Sequence, residues 1–239
     1  MSDEESAAAS RRLIFGRRRG RKFSPTRETA FADWLPRLSM ALPPEGQVLH
    51  PDSLFAQPMK HGYWVEVGFG DGQHLLALAE ANPEVGFLGV EPYEPGVAKL
   101  VSRIAARVTA GGPDNIRILM DDARLLLKAL PDGGIARGFT LFPDPWPKKR
   151  HQWRRIVNAE TLADWARLIP PGGELRLATD VPDYQRWMLR HILAEPRFDW
   201  QAETSADWLR RPADWPASKY EQKAISAGRT PHYYRLCRV

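Results

Sequence analysis

The feature that most constrains the fold is a regular alternation of short apolar segments with amphipathic ones, beginning at residue 62. The apolar segments are GYWVEVGF, VGFLGVEP, NIRILM, IARGFTLF and GELRLATD. A helix-like segment follows each of them, which is typical of a parallel sheet covered by helices on both faces. Two later segments, FDWQAE and HYYRLCRV, predict an antiparallel hairpin. We therefore predict an α/β fold with a doubly wound, mostly parallel sheet of about seven strands and a C-terminal antiparallel edge.

The part of the chain before this pattern is different in composition. Residues 1–27 hold few apolar side chains and many charges, which predicts a disordered basic arm. Residues 28–60 predict a short amphipathic helix, interrupted at Pro36, followed by a connector rich in Pro and Gly. The α/β domain is therefore expected at residues 61–239.

Composition also excludes several classes of protein. No apolar run approaches the roughly 20 residues of a membrane span, and the N-terminus lacks the apolar core of a secretory signal. The single cysteine, Cys237, suits a reducing compartment, and the six histidines show no paired spacing typical of metal ligands. We expect a cytoplasmic protein with no membrane partner and no metal, either a monomer or a homodimer.

Basic residues are concentrated in two segments. Residues 11–22 hold seven of them and residues 148–155 hold five, with no acid in either segment. These twelve bases exceed the net charge of +5, so the rest of the chain is acidic. Two patches of positive charge on an acidic body indicate a polyanionic partner such as a nucleic acid, although the N-terminal run by itself could be a solvated tail. The candidate phosphate contacts are Arg17, Arg18, Arg19, Arg21, Arg150, Arg154 and Arg155.

The first strand of the domain ends in a glycine-rich turn preceded by an acid. Gly68, Gly70 and Gly72 form a GxGxG pattern, and Glu66 lies two residues before the first glycine. Glycines at alternate positions allow a tight turn and a close approach of the backbone to a ligand. A dinucleotide fingerprint would place its third glycine at position 73, where this chain has Gln73. The acid at the entrance favours a cationic ligand such as S-adenosylmethionine over a pyrophosphate.

Two further strand ends carry acids. Glu91 ends the second strand, where a carboxylate can accept hydrogen bonds from both ribose hydroxyls of a nucleoside. Asp121 and Asp122 follow the third strand, and an acid there can contact an adenine amino group or cap the next helix. Because ligands of such sheets bind at the C-terminal ends of the strands, we expect these acids at one site.

The fourth strand leads into residues 143–147, PDPWP. Three prolines fix φ at alternate positions and so hold Asp144 in the defined place that a reacting group needs. Trp146 offers a flat face on which a base can stack, and residues 148–155 supply phosphate contacts. The order of acid, aromatic and bases fits a nucleotide base followed by its backbone. The alternative is a proline-rich surface turn with a solvated basic segment.

Four segments together resemble the bacterial tRNA (guanine-N7-)-methyltransferases. They are residues 66–72 (EVGFGDG), 90–93 (VEPY), 142–151 (FPDPWPKKRH) and 218–221 (SKYE). The most specific is FPDPW, the resemblance covers residues 60–239, and FGRRRGR at 15–21 looks like the basic leader of that family. The resemblance implies a class I methyltransferase-like Rossmann fold, with methyl transfer from S-adenosylmethionine to N7 of a guanosine at position 46 in the variable loop of tRNA.

The same resemblance implies residue roles. Cofactor contacts are implied at Glu66, Glu91, Asp122 and Asp144, and Asp144 takes the place of the active-site acid. Substrate contacts are implied at Lys148, Asp180, Ser218, Lys219, Tyr220 and Glu221, and RNA contacts along residues 150–155. Two residues depart from the family pattern. Ser218 stands where Thr is usual, and Trp153 stands where Lys is common, which removes a phosphate contact and adds a surface for stacking.

Some substrate contacts have structural alternatives. Asp180 ends the fifth strand, on the rim expected for Asp144, but it can instead cap the following helix. Residues 218–221 are polar and aromatic, as suits a segment that closes over a base, but they also fit an ordinary surface helix.

Guanine N7 carries a lone pair and no proton, so it can attack a sulfonium methyl group without a general base. We expect catalysis by alignment and charge, with Asp144 and Asp180 accepting hydrogen bonds from guanine N1–H and N2–H₂. One rival is an adenine-N6 methyltransferase, disfavoured because a single proline follows Asp144. A second alternative, a nucleotide-dependent dehydrogenase, is disfavoured by Gln73. The third alternative is a non-catalytic RNA-binding protein with this fold.

Overall fold

A computed structural model describes residues 15, 18–20 and 22–239. Arg17 and Arg21, and most of the predicted basic arm, lie outside the described residues. Arg18 and Arg19 are described, and both are exposed.

Within the described residues, seven strands form one sheet in the order β3-β2-β1-β4-β5-β7-β6. The strands are β1 (Tyr63–Val67), β2 (Gly86–Val90), β3 (Ile116–Leu119), β4 (Arg137–Leu141), β5 (Glu174–Thr179), β6 (Phe198–Trp200) and β7 (His232–Arg238). Strands β1 to β5 are parallel, and β7 is antiparallel to both β5 and β6. The predicted fold class is confirmed. The antiparallel hairpin does close the sheet, with β7 inserted between β5 and β6.

One α-helix of the described chain precedes β1 and the others connect the strands, with two of them between β6 and β7. The helices are α1 (Pro25–Leu38), α2 (Gln73–Ala81), α3 (Glu94–Thr109), α4 (Ala123–Ala129), α5 (Ala159–Leu168), α6 (Pro182–Leu193), α7 (Ala206–Leu209) and α8 (Lys219–Ser226). Helix α1 starts three residues before the predicted lead-in because Pro25 is well placed in a first turn. Pro36 lies in its last turn, so the proline does not divide the helix. No helix in the described residues is long and apolar enough to cross a membrane.

Two apolar clusters cover the two faces of the sheet. One contains Val65 of β1 with buried residues of α4, α5 and α6, and the other contains Phe87 of β2 with buried residues of α2 and α3. Because both faces are covered, the central strands are apolar at consecutive positions. The chain passes from β1 to β2 and β3 on one side, and then to β4 on the other. This switch point places a ligand crevice at the C-terminal ends of β1 and β4.

Candidate functional site

A cleft of about 370 Å³ opens at the C-terminal ends of the central strands. The residues singled out from the sequence that line it are Gly68, Glu91, Asp121, Asp122, Asp144, Trp146, Arg154 and Tyr220. Its volume lies within the range of small-molecule sites. The structure therefore brings together residues that are as far as 152 positions apart in the sequence.

The glycine loop after β1 contributes Gly68 to the lining of the cleft, while Gly70 and Gly72 lie outside the lining. Gly68, Gly70 and Gly72 have φ values of 75°, 60° and 72°, the left-handed region in which a side chain is strained. A Cβ atom on Gly70 would lie 2.7 Å from the ring of Tyr220, and one on Gly96 of α3 would lie 2.1 Å from the Gly70 carbonyl oxygen. The loop thus needs glycine both for its conformation and for the closeness of its neighbours.

Glu91 ties this loop to the end of β2. One carboxylate oxygen accepts a hydrogen bond from the Gly70 amide at 2.8 Å, and the other accepts from the Tyr93 amide at 2.9 Å. Burial raises the pKa of Glu91 to about 7, the negative charges of Asp144 and Glu66 add to the rise, and the two amides oppose it. Each oxygen keeps a second lone pair, so the carboxylate can still accept from ribose hydroxyls.

Glu66 lies beside the cleft and not in its lining. Its Oε2 is 2.8 Å from Nδ1 of His74, and both side chains are buried. Glu66 and His74 line a smaller cavity that shares Gly68 and Tyr220 with the main cleft. Sequence reasoning missed His74. The signal available was its position in the first turn of α2, directly after the glycine loop.

Asp122 has both of the roles considered from the sequence. It lines the cleft, and its Oδ1 accepts a hydrogen bond from the Arg124 amide at 3.0 Å, which caps α4. The Arg124 guanidinium also lies 3.3 Å from the same oxygen. An acid at this strand end is therefore held in place by the helix that it caps.

The segment 142–147 is strained at two residues. Phe142 and Trp146 have φ values of 52° and 42°, which is rare for bulky side chains, and each precedes a proline, which restricts it further. Such conformations cost about 1–3 kcal/mol each and persist where the surroundings enforce them, frequently at functional sites. Asp144 lies between these two residues and is thus set in a constrained turn.

Asp144 presents an uncommitted carboxylate to the cleft. The residue as a whole is exposed, but partial burial of the carboxyl group raises its pKa above the ordinary value. Within the described residues it makes no hydrogen bond or ion pair. It is therefore an acceptor available to a ligand in the cleft.

Arg155 does not have the role expected from the sequence. Its side chain is only 1% exposed, it donates from Nε to the Pro145 carbonyl oxygen at 2.8 Å, and it forms an ion pair with Asp183. The guanidinium also packs 4.9 Å from the ring centres of Tyr184 and Trp187. In this arrangement the side chain is buried behind the 143–147 turn, which it holds, so the predicted phosphate contact is not available.

The other bases of this segment remain on the surface. Lys148, Lys149 and Arg150 are exposed, and none of them forms an ion pair within the described chain. Arg154 packs its guanidinium over Phe15 at 4.9 Å and Trp146 at 5.0 Å, at the mouth of the cleft. The exposed side chains are therefore free to contact phosphates.

Two of residues 218–221 cap helix α8, and the other two lie beside the glycine loop. Ser218 and Glu221 form a capping box at the start of α8, and the buried Glu221 also accepts from the Tyr233 hydroxyl at 2.6 Å. The predicted substrate contact of Glu221 is not available in this arrangement. Tyr220 covers Gly70, and Nζ of Lys219 lies 3.4 Å from Asp71.

Asp180 follows β5 but does not line the cleft. It is paired with Arg229, whose Nε lies 2.5 Å from Oδ2, and its side chain does not cap α6. Contact with a substrate would require this ion pair to open. Among the described residues, no group of His, Cys, Asp and Glu is arranged to hold a metal ion.

Comparison with known proteins identifies relatives of this chain. A family model described as "Putative methyltransferase" matches residues 60–234. A tRNA (guanine-N(7)-)-methyltransferase of Rhodospirillum rubrum is 47% identical over 92% of this chain and 85% of that protein. One from Paramagnetospirillum magneticum is 44% identical over 98% of this chain and 95% of that protein.

Solved structures share the fold at low sequence identity. An antibiotic-related methyltransferase aligns with a TM-score of 0.53 and 15% identity, over 76% of this chain and 89% of that one. The 16S rRNA methyltransferase KamB aligns with a TM-score of 0.52 and 16% identity, over 74% and 88%.

Proposed function

The chain belongs to the tRNA (guanine-N(7)-)-methyltransferase family, and from that premise we propose that it methylates N7 of guanosine 46 in the variable loop of tRNA with Asp144 as the catalytic residue. Methyl transfer from S-adenosylmethionine to a tRNA guanine is the activity of the family. The position in the tRNA and the role of each side chain belong to the proposal, as do cytoplasmic location and a monomeric or dimeric state.

The observation that carries the proposal is the state of Asp144. Its carboxylate faces the cleft, has no partner in the described chain, and sits in a turn strained on both sides. A carboxylate held this way loses little conformational freedom when it binds a substrate. Its hydrogen bonds can therefore serve to orient the substrate for the reaction. The buried carboxylates of Glu66 and Glu91, by contrast, are already hydrogen-bonded.

The cleft fits an adenosyl cofactor on its own geometry. The glycine loop allows a ligand to approach the backbone, and the second lone pairs of Glu91 suit two ribose hydroxyls. Asp122 at the next strand end suits an adenine amino group, and Tyr220 covers the loop from above. When bound there, S-adenosylmethionine supplies an electrophilic methyl group on a sulfonium that leaves as a neutral thioether.

Asp144 then has two tasks. Guanine N7 has no proton to lose, so the protein needs to orient the base and not to deprotonate it. The Asp144 carboxylate can accept hydrogen bonds from N1–H and N2–H₂, which fixes the orientation of N7. The product ring is cationic, and a fixed negative charge beside it stabilises the charge that develops in the transition state. Adenine lacks this pair of donors, so the same contacts select guanine.

Nucleoside analysis tests the proposal. The protein is incubated with tRNA and labelled S-adenosylmethionine, the RNA is digested, and the labelled nucleoside is identified. We expect N7-methylguanosine, and we expect a tRNA with adenosine at position 46 to accept no label. Label in N6-methyladenosine, or in a guanosine elsewhere, would contradict the assignment.

A further inference from the structure

Trp153 is an exposed aromatic side chain whose orientation is fixed. It lies in the 3-10 helix Lys149–Arg154, and its side chain is 56% exposed. Its indole Nε1 donates to the Arg150 carbonyl oxygen at 2.9 Å. A large apolar side chain held in one orientation on the surface is a common feature of binding surfaces, because little side-chain entropy is lost when a ligand covers it.

Trp153 belongs to an aromatic ledge formed by Phe15, Trp146, Trp153 and Arg154. The ring centres of Phe15 and Trp153 are 4.9 Å apart, those of Phe15 and Trp146 are 6.1 Å apart, and both pairs are nearly perpendicular. The Arg154 guanidinium lies 5.4 Å from the Trp153 ring centre. Trp146 lines the cleft and Trp153 does not, so the ledge leads from the cleft to the outer surface.

The charges around the ledge identify its ligand. Lys148, Lys149 and Arg150 are exposed beside Trp153 and carry no ion pair within the described chain. An aromatic face next to unpaired cations matches a nucleotide, which offers a flat base and a phosphate together. An acidic protein surface would contact only the cations, and an apolar one would contact only the aromatic face.

We propose that Trp153 stacks on a nucleobase adjacent to the target guanosine, and so holds the neighbouring nucleotide while the guanosine occupies the cleft. This inference rests on the proposed function, because it takes tRNA as the ligand. A guanine that enters the cleft leaves its stack, and its neighbour then loses a stacking partner. The exposed indole replaces that partner.

Equilibrium binding without cofactor tests this role separately from catalysis. Labelled tRNA is titrated with protein at several salt concentrations. Trp153→Ala should weaken binding about tenfold and leave the salt dependence unchanged, because stacking releases no counterions. Trp153→Phe should retain most of the affinity. As a matched control, Lys148→Ala should lower the slope of log affinity against log salt by about one.

A cycle of variants with modified RNA identifies the contact. An abasic nucleotide is placed on the 5′ or the 3′ side of the target guanosine. At one of these two positions, the abasic nucleotide should lower the affinity of wild-type protein about as much as the Trp153→Ala substitution does. The same abasic RNA should bind the Trp153→Ala variant almost as tightly as unmodified RNA does. Equal losses in both proteins at both positions would overturn the proposal, as would a changed salt slope in Trp153→Ala.

The two proposals fail in different ways. Wild-type protein that binds tRNA but makes no N7-methylguanosine would refute the proposed function and leave the binding cycle interpretable. Thermal unfolding of each variant shows whether the exposed substitution alters the fold. If Trp153→Ala unfolds early, the cycle is run with Trp153→Lys. That variant should lack the coupling to the abasic site and show a steeper salt slope.

Discussion

At the residue scale, three carboxylates near the cleft differ in what already binds them. Glu66 is paired with His74, Glu91 holds two backbone amides, and Asp144 has no partner in the described chain. The first two therefore support the glycine loop, with Glu91 keeping one lone pair on each oxygen for a cofactor, whereas Asp144 is available to a substrate. This division explains why one of several acids at the same sheet edge is the candidate for catalysis.

Asp144→Asn should reduce turnover about 100-fold or more and change the affinity for tRNA little. The amide keeps the size of the side chain but replaces one acceptor by a donor and removes the negative charge beside the product cation. Single-turnover methylation with saturating protein separates the chemical step from binding. Turnover equal to that of the wild type would contradict the catalytic role.

Glu91 should make cofactor affinity depend on pH. Ionised Glu91 is the better acceptor for ribose hydroxyls, so the affinity for S-adenosylhomocysteine should rise through pH values around its pKa of about 7 and then level off. Stability should change in the opposite direction. Because the pKa of Glu91 is higher in the folded state than in the unfolded chain, protonation of this group stabilises the folded protein. The contribution is complete below the unfolded-state pKa of about 4.5 and is lost as the pH rises through the folded-state pKa of about 7.

Calorimetric titrations and denaturant unfolding across this range measure both effects. Glu91→Gln should abolish the pH dependence of cofactor binding. A rise in affinity that persists in that variant would assign the titration to another group.

At the element scale, residues 142–155 act as one unit, and the sequence revealed only part of it. Three prolines predicted a stiff turn, but the left-handed backbone of Phe142 and Trp146 has no signal in the pattern because bulky residues rarely adopt it. The buried Arg155 was also missed, since a base within a basic run looks like its neighbours. Which of those bases turns inward depends on Asp183 and the rings of Tyr184 and Trp187, which come from α6.

The capping box of helix α8 should affect both stability and cofactor binding. Ser218→Ala removes the hydroxyl of the capping box, so the free energy of unfolding should fall by about 1 kcal/mol. The same change loosens the turn that sets Tyr220 over Gly70, so the KM for S-adenosylmethionine should rise several-fold. Ser218→Thr keeps the hydroxyl and is the matched control. Equal KM values in the Ala and Thr variants would show that the cap does not position Tyr220.

At the scale of the whole molecule, the alternation of strands and helices determined the fold from sequence, because a parallel sheet covered on both faces leaves few other arrangements. The same alternation predicted that Glu91, Asp122 and Asp144 lie together at the C-terminal ends of the strands, and all three line the cleft. The pairing of Asp180 with Arg229 was not predicted, because the two residues lie 49 positions apart and in the structure are brought together by the β5–β7 pairing. A local sequence pattern does not predict which side chains from distant segments come into contact.

The exposed cations of residues 148–150 should determine much of the salt dependence of tRNA binding. Replacing Lys148, Lys149 and Arg150 together by Ala should lower the slope of log tRNA affinity against log salt by about two to three, because each exposed cation releases counterions. Arg155→Lys should leave the slope unchanged, since the buried Arg155 is not accessible to a phosphate in this arrangement. Binding at several salt concentrations measures both. A lower slope in Arg155→Lys would show that this side chain reaches the RNA.

The place of β7 between β5 and β6 sets an order of assembly. During synthesis each of β2 to β5 finds a neighbour already made, whereas β6 has none until β7 emerges. Helix α8 directly precedes β7 and is tied to it by the Tyr233–Glu221 hydrogen bond, so Tyr220 reaches the glycine loop when β7 is inserted. We therefore expect a nascent chain to place Tyr220 in the wall of the cleft only after β7 has paired with β5, so that binding of S-adenosylmethionine would require a complete sheet.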